Sequence, residues 1–276
     1  MAKHRLSRKG RYVAWAATGV VVAAGAGIAA QTSMAAPAWP TQKTYTGRAF
    51  DACTAPSSNA MKAWKKDGYY GGVAVYIGGR NRGCAQPNLT KSWVKSVDSL
   101  GWRVIPLYVG AQPPCQKSRN KERFTAATAH SVGVSNANDA IAKASALGIR
   151  PGSPIYLNME SYDIADKACN DATLSYVRSF TKTLRAKTYR AGLYGFSTSS
   201  AKAIATAKDR TDLPGNLWYA LWNGRETTTQ DWPWDPKLYT NHSRAHQYKA
   251  NSKESRGGHT ITVDRNAWDA PVAIIG

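Results

Sequence analysis

Beyond its first thirty residues this 276-residue chain has no apolar run long enough to span a membrane. That excludes a membrane-embedded body. Cysteines are few. Cys53, Cys84, Cys115 and Cys169 stand far apart in sequence, so no zinc-type pair of ligands is present. His242 and His246 are four residues apart, but in an extended segment that separates them by roughly 13 Å, too far to share one metal. No metal and no cofactor is expected. No nucleophile elbow precedes an ordered acid and histidine. The glycines of Gly78-Gly79-Arg80-Asn81-Arg82-Gly83 lack Walker spacing and read as a turn. No low-complexity linker or short-period repeat divides the chain.

The N-terminus has the form of an export signal. His4, Arg5, Arg8, Lys9 and Arg11 make a basic start, and Val13 to Ala30 is uncharged and rich in Ala, Val and Gly. Small residues at Ser33-Met34-Ala35 and Ala36-Pro37-Ala38 offer cleavage sites. The sequence therefore predicts a cleaved signal over 1–38 and one domain over 39–276. Arg8-Lys9 in place of an Arg-Arg pair leaves the Sec and twin-arginine routes both open. The expected location is extracellular, in association with the cell wall.

Acids are scarce. Asp and Glu number 17 against 37 Lys and Arg, a formal net charge of +20. The basic residues are scattered along the chain and not gathered in one block. After export, nucleic acid is excluded as a partner and the membrane is left behind. Anionic cell-wall polysaccharide is the expected partner, because long-range attraction concentrates a cationic protein at such a surface. A monomer is expected.

Strand-like and helix-like segments alternate. Arg48 to Asp51 reads as a first strand and Ser57 to Asp67 as a helix closed by Gly68. Val73–Ile77, Arg103–Val109, Pro154–Met159, Ala191–Tyr194 and Leu217–Leu221 read as further buried strands. Leu89–Leu100, Ala137–Leu147, Asp171–Lys187 and Ser199–Lys208 read as the intervening helices. The pattern then changes. Asn223 to Ser243 holds Trp232, Pro233, Trp234 and Pro236 and lacks a 3.6-residue period, so no crossover helix is expected there. Arg244–Tyr248 and Thr260–Asp264 complete eight strands. The fold class is α/β, a TIM-like (β/α) barrel with five βα units followed by three strands lacking full helices. The turn after strand one, Asp51 to Pro56, is not the Gly-rich turn of a doubly wound fold.

Barrel chemistry sits at the C-terminal ends of the strands. Asp51, Glu160 and Asp264 follow strands one, four and eight, which would place two acids across a mouth from one. Glycosidic cleavage uses such a set: one protonated carboxyl for the leaving oxygen, others to stabilise the oxocarbenium side. Tyr76, Tyr108, Tyr162, Tyr194, Trp222 and Tyr248 are candidates for stacking on sugar rings.

Three motifs carry a family likeness. Gly47-Arg48-Ala49-Phe50-Asp51-Ala52-Cys53-Thr54-Ala55-Pro56, Ile155-Tyr156-Leu157-Asn158-Met159-Glu160-Ser161-Tyr162, and His246-Gln247-Tyr248 with Gly257-Gly258 and Val263-Asp264-Arg265-Asn266 resemble a bacterial glycoside-hydrolase-like family defined as a domain of unknown function. That family is in turn similar to the Chalaropsis-type lysozymes, glycoside hydrolase family 25. The resemblance implies a barrel that cleaves peptidoglycan glycan strands, with Glu160 as general acid, Asp51 and Asp264 as supporting acids, and Gln247 and Asn158 in contact with substrate. One position departs. The lysozyme pattern Asp-x-Glu is here Asn158-Met159-Glu160, and an amide cannot raise a neighbouring carboxyl's pKa by repulsion. A glycan-binding protein that keeps the cleft without cleaving is therefore the alternative reading.

Four cysteines permit three pairings. Strand adjacency in the barrel favours Cys53–Cys84 and Cys115–Cys169, all on the catalytic face.

Overall fold

The computed structural model describes residues 39–276. The signal expected over 1–38 lies outside the described residues. Five βα units come first: β1 (Thr44–Asp51) and α1 (Ser58–Asp67), β2 (Gly72–Gly78) and α2 (Lys91–Ser99), β3 (Arg103–Tyr108) and α3 (Ala129–Ala146), β4 (Pro154–Met159) and α4 (Lys167–Ala186), β5 (Arg190–Phe196) and α5 (Ser200–Ala205). β6 (Asn216–Ala220), β7 (Arg244–Arg256) and β8 (His259–Pro271) follow without helices between them. The strands close a barrel in sequence order.

Local chemistry sets the element ends. Ser57 caps α1 by accepting from the Ala60 N–H, and Gly68 ends it in the left-handed conformation. Thr90 and Asp166 cap α2 and α4 in the same way. Between β6 and β7, Trp232 and Trp234 pack edge-on against Tyr219 at 5.4 and 5.7 Å. This aromatic cluster covers the barrel wall where a crossover helix would otherwise lie.

Two expectations need correction. β8 is longer than Thr260–Asp264 and runs antiparallel to both β7 and β1. Gly257 and Gly258, at φ +53° and +78°, form the two-residue hairpin that reverses the chain. Asp264 therefore lies inside its strand and reaches the face at the C-terminal ends of the parallel strands because its own strand is reversed, with Asp51 as its direct register partner. The third helix also begins earlier than Ala137. Gly133 looks like a helix breaker in sequence, yet it sits where α3 meets α4. A Cβ there would come within 2.0 Å of the Ser179 hydroxyl and 2.5 Å of the Tyr176 carbonyl oxygen. Gly133→Ala is accordingly expected to destabilise the fold by about 1–3 kcal/mol, because the two helices must part. A denaturant midpoint equal to or above wild type would contradict this close approach.

The core has two layers. Inside the barrel, Tyr156, Trp218 and Trp268 meet edge-to-face with centroids 5.1 to 6.1 Å apart. Outside it, aliphatic and aromatic residues fill the gap to the helices. Disulfides join Cys53 to Cys84 and Cys115 to Cys169, with Cα separations of 5.7 and 5.9 Å. Both lie at the C-terminal ends of the parallel strands, the second joining a loop to the first turn of α4.

Candidate active site

Alternation along the strands decides which side chains reach the barrel mouth. Asp51 ends β1, Tyr76 is near the end of β2, Asn158 and Glu160 are at the end of β4, and Tyr194 is on β5. Gln247 comes from β7, and Asp264 with Asn266 from β8.

Gln247 ties the constellation together. Its carbonyl oxygen accepts from the Tyr194 hydroxyl at 2.7 Å and from the Trp222 indole N–H at 3.0 Å. Its amide nitrogen donates to Asp51 and to Asp264, each at 3.2 Å. One amide thus sits between two carboxylates. Asp51 also accepts from Tyr76 at 3.0 Å and Asn266 at 2.8 Å. Asn266 in turn accepts from the Trp218 indole at 2.8 Å, which anchors the floor of the site to the barrel core.

The two acids differ in reach. Asp51 is 2% exposed and lies beneath the mouth, whereas Asp264 and Glu160 are only partly buried. Burial, and then the charge of Asp264, push the Asp51 carboxyl up to about 7, against the donors Asn266, Gln247 and Tyr76. Burial also raises Asp264, opposed by the Asn251 backbone N–H. The pair thus holds a shared proton near neutrality.

That proton makes stability depend on pH. In the unfolded chain Asp51 titrates near ~3.9. Its folded value is higher, so its contribution to stability is complete below the unfolded value and is lost as pH rises through about 7. The melting temperature is expected to fall by on the order of 5 °C between about pH 5 and pH 8. Asp51→Asn should flatten most of that fall, since Tyr76 can accept from the new amide. An unchanged slope in the variant would place the pH dependence elsewhere.

Glu160 is held from two sides. Asn158 donates from Nδ2 to Oε1 at 3.0 Å. Gln112 accepts from the Glu160 backbone N–H at 2.9 Å and donates to the Asn158 carbonyl at 3.1 Å. Asn158 is 4% exposed, and its Oδ1 has no partner among the described residues. On the rim, Trp222 is 56% exposed and lies edge-on to Phe196 at 5.5 Å. The Trp222 loop is anchored by His246, whose ring nitrogens lie 2.7 Å from the carbonyl oxygens of Leu221 and Thr227. Burial lowers the His246 pKa.

Three of the aromatic candidates point elsewhere. Tyr108 donates to Asp139 on α3, Tyr162 to Asn170 on α4, and Tyr248 to Glu226. Tyr108 and Tyr248 neighbour the inward residues Leu107 and Gln247 on their strands and so face the other way, and Tyr162 lies in the loop beyond β4. Gln247 is 1% exposed, with both ends of its amide engaged. It braces the two acids. Gln112, Phe196 and Asn266 were not foreseen. Asn266 was legible, because it lies two residues from Asp264 on the same strand face. Gln112 lies in an irregular loop whose period says nothing of direction.

Residues 62–268 match the family described as Rv2525c-like, glycoside hydrolase-like domain, a span that includes Asn158, Glu160, Gln247 and Asp264. The chain belongs to this family. Among solved structures it is similar to the Tat-secreted protein Rv2525c of Mycobacterium tuberculosis, at 19% identity and a TM-score of 0.53 over 81% of this chain and 96% of that one. It is also similar to the spore cortex lytic enzyme SleM of Clostridium perfringens, at 14% identity and TM-score 0.54 over 81% of this chain and 67% of that one. The modular autolysin LytC of Streptococcus pneumoniae shows 16% identity and TM-score 0.52, over 81% of this chain and 47% of LytC. At these identities the likeness is one of fold. No curated protein sequence matches the chain. The chain shares its barrel fold with these proteins, and its two disulfides fit an oxidising location.

Proposed function

We propose that this chain is exported and cleaves peptidoglycan or a related cell-wall glycan as a monomer without metal or cofactor, with Glu160 as general acid. What supports this reading is that Glu160 and Asp264 both stand at the C-terminal ends of the parallel strands and both act on the Tyr194 hydroxyl, the first held by Asn158 and Gln112, the second by Gln247 and the Asn251 backbone. Asn158 holds Oε1 of Glu160 and leaves Oε2 free to carry the proton to the leaving oxygen. Asp264 faces the developing positive charge. Asp51, sealed beneath, is kept protonated by burial and by the charge of Asp264. Tyr76, Phe196 and Trp222 are the aromatic faces within reach of a sugar. Export is supported by the family member Rv2525c, described as Tat-secreted. The glycan class is supported by LytC, which was solved with a synthetic peptidoglycan ligand.

Asn158 favours a second reading, a glycan-binding protein without turnover. Asn158→Asp separates the two. In that variant like charges 3 Å apart would hold a proton on the pair with Glu160, and release of reducing ends from purified peptidoglycan should rise about tenfold near neutral pH for each unit gained. Wild type and variant that both bind peptidoglycan and release none would leave the binding reading in its place.

A further inference from the structure

Sequence order scatters the basic residues, but the fold gathers some of them. The loops after β2 (79–90) and β3 (109–128) leave the barrel on the face that holds Glu160 and Asp264. Together they carry Arg80, Arg82, Lys117, Arg119, Lys121 and Arg123 against a single acid, Glu122. Arg82 is half-buried and the other five cations are exposed. None of the six forms an ion pair with a described residue. The arginines across the mouth do. Arg48 meets Glu226, Arg225 meets Asp231, and Arg256 and Arg265 share Glu254. Glu122 is one carboxylate among six cations, and its Oε2 is buried without a hydrogen-bond partner among the described residues.

The two loops are built as one piece. The Asn81 amide donates to the Gly110 and Glu122 carbonyls, both at 2.8 Å, and its oxygen accepts from the Lys121 and Glu122 N–H groups. One disulfide ties the first loop to the end of β1, and the other ties the second loop to α4. Arg82 donates to the carbonyl of Tyr76, whose hydroxyl rests on Asp51, so this rim adjoins the mouth. Arg80 and Arg82, with Lys143, also line a cavity of about 390 Å³. Its one carboxylate, Asp139, is already engaged by Tyr108.

Six like charges on a stapled surface repel one another, and the staples prevent them from spreading apart. A ligand with one carboxylate could answer one or two of them. A linear polyanion answers all of them at once and releases its own counterions in doing so. We propose that this rim binds a polyanionic wall polymer, a chain with an acidic group in each repeat, and guides it to the mouth. The consequence for cleavage rests on the function proposed above; the binding does not, and it is measured without hydrolysis.

The test uses the whole mature domain and three soluble polymers: poly(glycerol phosphate), polygalacturonate and neutral dextran. Affinity is measured between about 50 and 200 mM salt, where polyanion contacts weaken steeply. The rim variant carries Arg80→Ser, Lys117→Ser, Arg119→Ser and Lys121→Ser, all exposed side chains that make no hydrogen bond to a described residue. The control removes the same charge from α1 and α2, as Lys62→Ser, Lys66→Ser, Lys91→Ser and Lys95→Ser. At least one acidic polymer should bind wild type, and the tighter of the two identifies phosphodiester or uronate as the source. The rim variant should bind it on the order of tenfold more weakly with a shallower salt dependence, and the control should match wild type. Equal losses in rim and control variants would overturn the proposal, reducing the attraction to net charge. Binding of dextran as tight as that of both polyanions, or no binding of either polyanion at low salt, would overturn it as well.

Discussion

Glu160→Gln is expected to lower glycan cleavage by about 10²–10⁴-fold, the range that a positioned general acid supplies. The geometry makes the substitution a clean one. Asn158 touches only Oε1, and Gln112 contacts the Glu160 backbone, so a glutamine can keep both bonds. The side chain is only partly buried, so the melting temperature should stay within a few degrees of wild type. Binding of peptidoglycan should persist while release of reducing ends is lost. If the variant cleaves as fast as wild type, the proton comes from another group, and the assignment of Glu160 fails.

Gln247→Leu is expected to do the opposite kind of damage, to structure first. Leucine matches the volume but serves none of the amide's four partners. Tyr194 and Trp222 lose an acceptor, and Asp51 and Asp264 lose the donor they share. Tyr194 and Asp51 are buried, and each buried group left unpaired costs about 1–3 kcal/mol. Trp222 is exposed and can turn to water. The expected total is about 3–5 kcal/mol, or a fall in melting temperature of on the order of 10 °C. The two carboxylates should also hold their shared proton more tightly, so the loss should be larger at alkaline than at acid pH. A variant as stable as wild type at both pH values would show that the amide is not the tie between the acids.

Much of this arrangement was legible in the residues, and the exceptions have physical causes. The five βα units follow from periodicity and caps, and the missing sixth helix follows from Pro233 and Pro236. The sense of β8 was not legible, because alternation is the same in either direction. Only the twin glycines at 257 and 258 hint at a tight hairpin. The early start of α3 was not legible, because at Gly133 a helix breaker and a helix-packing glycine are the same residue, and only the neighbouring helix distinguishes them. Asp51 and Glu160 could be placed on one face from strand ends, whereas Asp264 reaches that face from within a reversed strand, and the depth of Asp51 depends on what lies above it. The outward turns of Tyr108 and Tyr248 show that an aromatic residue near a strand end has two faces to choose from. Charge was hardest to read. Arg80 and Lys121 are 41 positions apart in sequence, and Asn81 brings their loops together.

The central claim is that the mouth between Glu160 and Asp264 breaks a glycan chain. It is tested most directly by incubating the purified mature domain with peptidoglycan stripped of other polymers and following new reducing ends over time, with the soluble fragments identified by mass spectrometry. The account predicts reducing ends that accumulate in proportion to enzyme, from fragments cut within the glycan backbone. Peptidoglycan that binds the protein yet gains no reducing ends, under conditions where a known muramidase cleaves it, would contradict the claim.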